Sequence, residues 1–435
     1  MPDEETTTHG RTAVAVPVAD PSPVAATRPG GSASRGSARL VVLLGALTAF
    51  SPLAIDMYLP AFPQIERDLA APAGTLPLTL SLFLAGLALG QLACGPIADR
   101  VGRRRPLLAG CGGFAAAALL CAFARSIEGL IAARFLMGVA GAAGLVISRA
   151  IVRDLFHETE SARIFSMMML VTGVAPVLAP SLGGQLLLHW NWRAIFWVLA
   201  GCGLACGVAV AFDLRESLPP DRRAGGSLLS VPRQYGAMLI DPRFIGYALA
   251  IGCGSGLLFA YITGSPFAFM QLHHISPRAF GAYFASNAIG MFGAAQVNRW
   301  LLRWISSHAI LKRAFAVNAG AGVLLVLFVA TGLGGFALFF ATLFVCMTTL
   351  GLILPNATAA ALVPFARQAG TASALLGMLQ YAMGAGAGAV VGVLHNGTAL
   401  PMAGTVACCG IFGCLVIAVS ERRRVRAGSH QGGIA

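Results

Sequence analysis

The sequence predicts an all-α integral membrane protein whose twelve transmembrane helices divide six and six. Three observations carry that prediction. The 435 residues are 57% hydrophobic and only 11% charged, with a mean hydropathy of +0.77, whereas an average soluble domain is about a quarter charged. The apolar residues come in runs of about 20, apolar all round, long enough to cross ~30 Å of hydrocarbon as helices. A membrane barrel would instead show strands of about ten residues of alternating character. The cations, finally, lie between the runs and favour one set of loops, as topology-setting arginines do.

The segments, in chain order, span 40–62, 76–97, 107–125, 129–151, 164–188, 193–213, 243–270, 279–300, 309–331, 334–362, 370–394 and 399–420. Residues 1–38, rich in Thr, Ala, Pro, Gly and Ser, have no apolar stretch followed by a cleavage site; they read as a disordered cytoplasmic tail rather than a signal peptide. The expected organisation is a first bundle at 39–213, a charged cytoplasmic linker at 214–242, a second bundle at 243–420 and a basic tail at 421–435. With the N-terminus inside, the inner interhelical loops hold sixteen Lys and Arg and the outer loops four, namely Arg67, Arg125, Arg193 and Arg278. That bias predicts both termini in the cytoplasm. It also gives the net charge of +13 a topological meaning, not a nucleic-acid-binding one. Trp190, Trp192, Trp300 and Trp304 fall at segment ends, where interfacial tryptophans are expected.

Little else carries chemistry. The ten cysteines are scattered without zinc-ligand spacing and read as small packing residues. No Ser/His/Asp set, metal cluster or phosphate-binding glycine loop is apparent, so a membrane enzyme or sensor lacks support and no cofactor is expected.

Between the second and third segments runs Gly95-Pro96-Ile97-Ala98-Asp99-Arg100-Val101-Gly102-Arg103-Arg104-Arg105. The Gly-Pro pair is expected to end one helix, Gly102 to allow a tight turn, and the loop to present one carboxylate among four guanidiniums. A topology anchor explains the arginines but not the Asp and Gly spacing. This stretch resembles the loop signature of the major facilitator superfamily, G-x-L-a-D-r-x-G-r-k. Asp56-Met57-Tyr58-Leu59-Pro60, Ser148-Arg149-Ala150-Ile151-Val152-Arg153-Asp154, Leu354-Pro355-Asn356-Ala357-Thr358 and Ala369-Gly370-Thr371-Ala372-Ser373-Ala374 resemble the Bcr/CflA group of drug:proton antiporters within it. Arg134 with Gly138 is similar to the family's fourth-helix R-x-x-x-G. The helix-five antiporter motif is altered, with Ala175 and Ala179 where glycines are usual, and Asn298-Arg299 stands where the second half would repeat Asp-Arg. The resemblance implies two pseudo-symmetric bundles around a cavity and a monomer in the bacterial inner membrane. It also implies proton-driven export of drug-like molecules, with antibiotic resistance as the phenotype. Transport of a single metabolite stays open beside it.

Carboxyl groups inside a membrane are costly and functional by default. Asp56 alone lies within an apolar segment away from a charged loop, and no Asp or Glu occurs between Asp241 and Glu421. Asp213, the alternative, ends the sixth segment beside Arg215. At 1.5 Å per residue Asp56 lies ~24 Å from the inner start of its helix and Arg134 ~8 Å from the outer start of its own, so both belong to the outer third. Since the resemblance implies that the first and fourth helices both face the cavity, Asp56 and Arg134 are the expected proton-coupling pair; the other reading of Arg134 is a guanidinium that hydrogen-bonds neighbouring carbonyls.

Tyr58, Gln91, Asn287, Asn356, Gln380 and Tyr381 are the expected substrate-binding residues, each with helix–helix hydrogen bonding as its second reading. Gly86 and Gly90, and Gly384, Gly388 and Gly392, repeat at four and mark close contacts; the resembled fold implies that they join the second and eleventh helices. Gly95, Asp99, Arg100, Gly102, Arg103 and Asp154 are the expected gate. In it Asp99 would approach the eleventh segment near Gly370 and Thr371, and Arg103 would pair with Asp154.

Overall fold

The computed structural model describes residues 33–223 and 230–431. The expected tail at 1–38 lies outside these residues as far as 32; helix begins at Ala33. The first half consists of α1 (Ala33–Asp56), α2 (Phe62–Asp68), α3 (Leu76–Val101), α4 (Arg104–Ala122), α5 (Ile127–Leu155), α6 (Glu158–His189) and α7 (Arg193–Asp213). A 3₁₀ turn at Leu59–Ala61 joins α1 to α2 into one span. The linker contains α8 (Ser230–Ile240). The second half consists of α9 (Pro242–Pro266), α10 (Pro277–Leu301), α11 (Ser307–Thr331), α12 (Gly335–Leu362), α13 (Ala369–Val393) and α14 (Leu400–Gln431). A π-helical turn, Phe267–Leu272, prolongs α9. No strand occurs among the described residues.

Among the described residues, eleven spans are long and apolar enough to cross a membrane. The twelfth is α10, 25 residues long and hence ~37 Å. Its hydropathy is lowered by Ser286, Asn287, Gln296 and Asn298, of which the two asparagines are buried against neighbouring helices. The outward face of the bundle is apolar: Leu120, Met169, Leu170, Phe212 and Leu415 are all exposed. That inversion of a soluble surface is what a lipid solvent selects.

Local signals start and stop the helices. Ser126, Ser276 and Ser306 cap α5, α10 and α11 by accepting backbone N–H bonds at 3.2–3.3 Å from Gly129, Ala279 and Ala309. Gly102, at φ +99°, ends α3. The helix does not stop at Gly95-Pro96 as expected; it runs through Pro96 to Val101, since one missing N–H is tolerated inside a packed membrane helix. At the other terminus α14 continues past Glu421 to Gln431, so the expected tail begins as helix.

We call the end holding the start of α3's partner helix α4 and the end of α14 the near end, and the opposite end the far end. At the far end the two halves touch. The Gln271 Nε2 donates to Glu66 Oε2 at 2.9 Å. A Cβ on Gly281 would meet Ser181 of α6, and one on Gly388 would meet Ser81 of α3. Gly388 and Gly392 thus serve the expected α3–α13 contact, but Gly86 and Gly90 do not: they face Phe135, Val139 and Ala142 of α5. Trp192 also departs from expectation, being fully buried and donating its indole N–H to Asp68 at 2.9 Å, while Trp190, Trp300 and Trp304 are exposed. Near-end ties include an ion pair between Lys312 of α11 and Glu421 of α14 at 2.7 Å.

Candidate functional site

A cavity of about 190 Å³ lies between α3, α5 and α13. Gln91 and Leu145 line its deep part, and Asp99, Arg153 and Asp154 its near end. The α3–α5 wall is tight because a Cβ on Gly138 would strike the Phe83 carbonyl oxygen and one on Gly86 that of Phe135. This approach also sets Arg134 over Phe83.

Arg134 is fully buried. Its Nη1 donates to the Ala54 carbonyl at 2.8 Å, and its guanidinium carbon lies 4.6 and 4.3 Å from the ring centres of Tyr58 and Phe83. No ion pair joins it to Asp56 among the described residues; the carbonyl-bonding reading describes its contacts. Asp56 is buried, its Oδ1 has no hydrogen-bond partner, and it interacts electrostatically with the phenols of Tyr261 and Tyr381, both from the second half. Asp56 therefore stands where the halves meet, two residues after the carbonyl that holds Arg134. Asp213, by contrast, is exposed at the end of α7.

The expected substrate residues separate. Gln91 lines the cavity, 4% exposed, with its Nε2 lacking an acceptor. Tyr381 and Gln380 are half-buried on α13. Asn287 is brought into the Asp56 cluster, donating to the Tyr261 hydroxyl at 3.0 Å. Tyr58 does not line the cavity: it is fully buried between Phe62 and Phe196, and its hydroxyl donates to Thr79 Oγ1 at 2.9 Å, because the Thr79 proton is committed to Leu76. Asn356 does not line it either. It donates to Asn298 Oδ1 at 2.6 Å, joining α12 to α10.

At the near end Arg103 holds both Asp99 (2.5 Å) and Asp154 (2.9 Å), and Ser217 of the linker adds a bond to Asp154 at 3.2 Å. Burial alone would lower the Arg103 pKa, but the bonds to Asp154 and Asp99 raise it overall. Glu216 accepts backbone N–H bonds from Arg103 at 2.7 Å and Arg104 at 3.2 Å, capping α4 from the linker. Burial would raise its pKa; the bonds from Arg103, Leu218 and Arg104 outweigh that and hold it below the ordinary value. Gly102 is needed twice, for its φ and because Glu216 fills the space of its missing Cβ. Asp99 meets the second half across the cavity, where Ser373 and Ala374 of α13 face it, and near Tyr235 of α8. Gly95 lines the same cavity, and Arg100 turns back to the Pro96 carbonyl.

The sequence profile of the Major Facilitator Superfamily matches residues 44–389. The chain belongs to this superfamily. This facilitator is a transporter and not an enzyme. It is 37% identical over 388 residues to the MFS-type transporter YdgK of Bacillus subtilis, covering 89% of this chain and 96% of that one. It is 31% identical over 375 residues to a bicyclomycin resistance protein homolog of Haemophilus influenzae, covering 86% and 94%. Among solved structures, a bacterial homolog of the human lysosomal transporter Spinster, inward-facing and occupied, aligns with a TM-score of 0.67 at 15% identity, over 89% of this chain and 97% of that one. That likeness establishes the shared fold.

One facilitator residue escaped the sequence reading. Arg149 lies inside the apolar stretch of α5 and lines the cavity. It belongs to neither loop set, although a cation inside an apolar segment is as costly as an acid. It follows Arg134 by about four helical turns, which is the signal that would have found it.

Proposed function

We propose that this facilitator exports small amphipathic molecules, antibiotics and similar compounds, from the cytoplasm in exchange for protons. The carrying observation is Asp56: a buried carboxyl at the meeting of the halves, in a chain whose second bundle has no acidic residue from 243 to 420. The printed names of its relatives, bicyclomycin resistance and multidrug resistance, support the cargo class. The positive-inside bias makes the near end cytoplasmic, so the cavity faces inward, with both termini on that side and the bacterial inner membrane as location. The working unit is a monomer of two bundles, 39–213 and 243–420, joined by the linker at 214–242.

Burial disfavours an ionised carboxyl, and a polar or cationic group brought beside it favours ionisation. Cargo entering from the cytoplasm thus displaces the proton of Asp56, and an acidic exterior restores it. One charge crossing 100 mV supplies ~2.3 kcal/mol, and each pH unit adds ~1.4 kcal/mol. Arg134 acts as a fixed charge that anchors the Asp56 turn through Ala54. Gly95, Asp99, Arg100, Gly102, Arg103 and Asp154 act as the cytoplasmic gate, opening and closing the mouth beneath Gln380 and Tyr381. The test is uptake of a compound panel into inside-out vesicles, with and without an imposed pH gradient. Gradient-driven accumulation of several unrelated amphipathic compounds is expected. Accumulation of one polar metabolite only, or indifference to the gradient, would overturn the reading.

A further inference from the structure

We infer that Arg149 and Gln91 form an anion-accepting subsite in the cavity, so that the cargo is amphoteric, with an acidic group seated there and its polar or basic end toward Asp56. The inference rests on the export reading above and names the chemistry of its cargo. Five charged side chains line the cavity: Arg103, Arg149, Arg153, Asp99 and Asp154. Both carboxylates are taken by one guanidinium, Arg103, at 2.5 and 2.9 Å. Among the described residues, that leaves Arg149 and Arg153 without a carboxylate.

Of these two, Arg149 is the deeper along α5. It makes no hydrogen bond or ion pair among the described residues, yet its side chain is exposed to the cavity. A topology-setting arginine reaches for headgroups at a loop; this one points into the protein, and Arg100, Arg104 and Arg105 already serve the loop. An unpaired guanidinium held inside a membrane bundle is a binding element in waiting, and its planar fork matches a carboxylate.

The second observation is independent. Gln91, which lines the same cavity from α3, is 4% exposed, and its Nε2 has no acceptor. Its Oε1 lies in the space a Cβ on Gly377 would take, so the amide is wedged between α3 and α13 with its donor unsatisfied. A buried donor without an acceptor is costly, and an anionic oxygen on the cargo would satisfy it.

Tyr381 of α13 is within electrostatic reach of both this subsite and the proton site. Its phenol interacts electrostatically with both Arg149 and Asp56, and its ring lies 5.9 Å from that of Phe259. An aromatic body stacked there would place an acidic end at Arg149 and a basic end toward Asp56. The acidic end supplies affinity, and the basic end competes with the proton.

The experiment measures binding to the purified full chain in detergent, without any gradient. The probes are 4′-(aminomethyl)biphenyl-4-carboxylate and its methyl ester. The wild type should bind the acid at least tenfold tighter than the ester. Arg149→Gln should abolish that preference while keeping ester affinity, Arg149→Lys should retain part of it, and Gln91→Leu should reduce it severalfold. Helical circular dichroism and a melting temperature in detergent close to the wild type show that each variant is folded. Equal binding of acid and ester by the wild type, binding of neither, an acid preference that survives Arg149→Gln, or equal thermal protection by sodium phosphate alone would each overturn the subsite. Loss of gradient-driven export with the acid preference intact would overturn only the export reading.

Discussion

In the first half of the molecule the buried polar groups include ionic ones beside hydroxyls and the Gln91 amide. Asp56 and Arg134 are sealed within it, Arg149 lines its cavity wall, and Arg103 ties Asp99 to Asp154 at its mouth. In the second half they are amides and hydroxyls: Asn287 on Tyr261, Asn356 on Asn298, and Asn318 on Thr349 at 2.6 Å. Its far end is filled by rings, with Phe269 within 6.2 Å of Phe280, Tyr283, Phe336, Phe339 and Phe340. Both halves use glycine to bring backbones together, Gly138 against Phe83 and Gly351 against Met291. They pack alike and differ in whether their buried groups titrate. Amides hold geometry over the whole physiological pH range, so one half can change charge while the other remains a fixed wall.

The sharpest way to break that comparison is to remove the titrating group. Asp56→Asn should reduce gradient-driven export to background in inside-out vesicles, while the protein still inserts and still exchanges cargo down its gradient. Asn287→Ala, its counterpart across the interface, should slow export only severalfold. Packing comes next. Gly138→Ala and Gly351→Ala should each destabilise by roughly 1–3 kcal/mol, read as lowered melting temperature in detergent. Similar losses would show that the halves share one packing rule, and a loss confined to Gly138→Ala would refute it. The amide pair should be weaker. Asn356→Leu alone leaves Asn298 unsatisfied, at about 1–2 kcal/mol, whereas changing both to Leu should be nearly neutral.

The smallest effect belongs to the linker. Glu216→Gln should weaken the cap of α4 by at most about 1 kcal/mol. Because the folded pKa of Glu216 lies below its unfolded value, its contribution is present above the unfolded pKa and is lost as pH falls through the folded one. The variant and the wild type should therefore differ at neutral pH and converge in acid, and a difference constant with pH would exclude the charge as its source.

The spans themselves were legible, though not every end of them, because lipid leaves a helix no alternative and the apolar runs record it. The Arg103–Asp154 pair was legible too, from the spacing of the loop signature and the end of the fourth segment. Side-chain direction was not. Tyr58 looked like a cavity residue by its neighbourhood to Asp56, yet two residues on, in the turn after α1, its side chain enters the core of the first half, and Asn356 pairs with a neighbour that composition cannot identify. Pro96 read as a stop because in water it would be one. Arg149 was overlooked although the principle that marked Asp56 applies equally to a cation.

The ion pair between Lys312 and Glu421 has a practical side. Lys312 is the single lysine of the chain, and its side chain is 56% exposed. A succinimidyl dye therefore finds one side-chain amine, fixed where α11 meets α14, and a lysine-specific protease finds one bond to cut. The natural sequence thus offers a ready attachment point for following the second half by fluorescence.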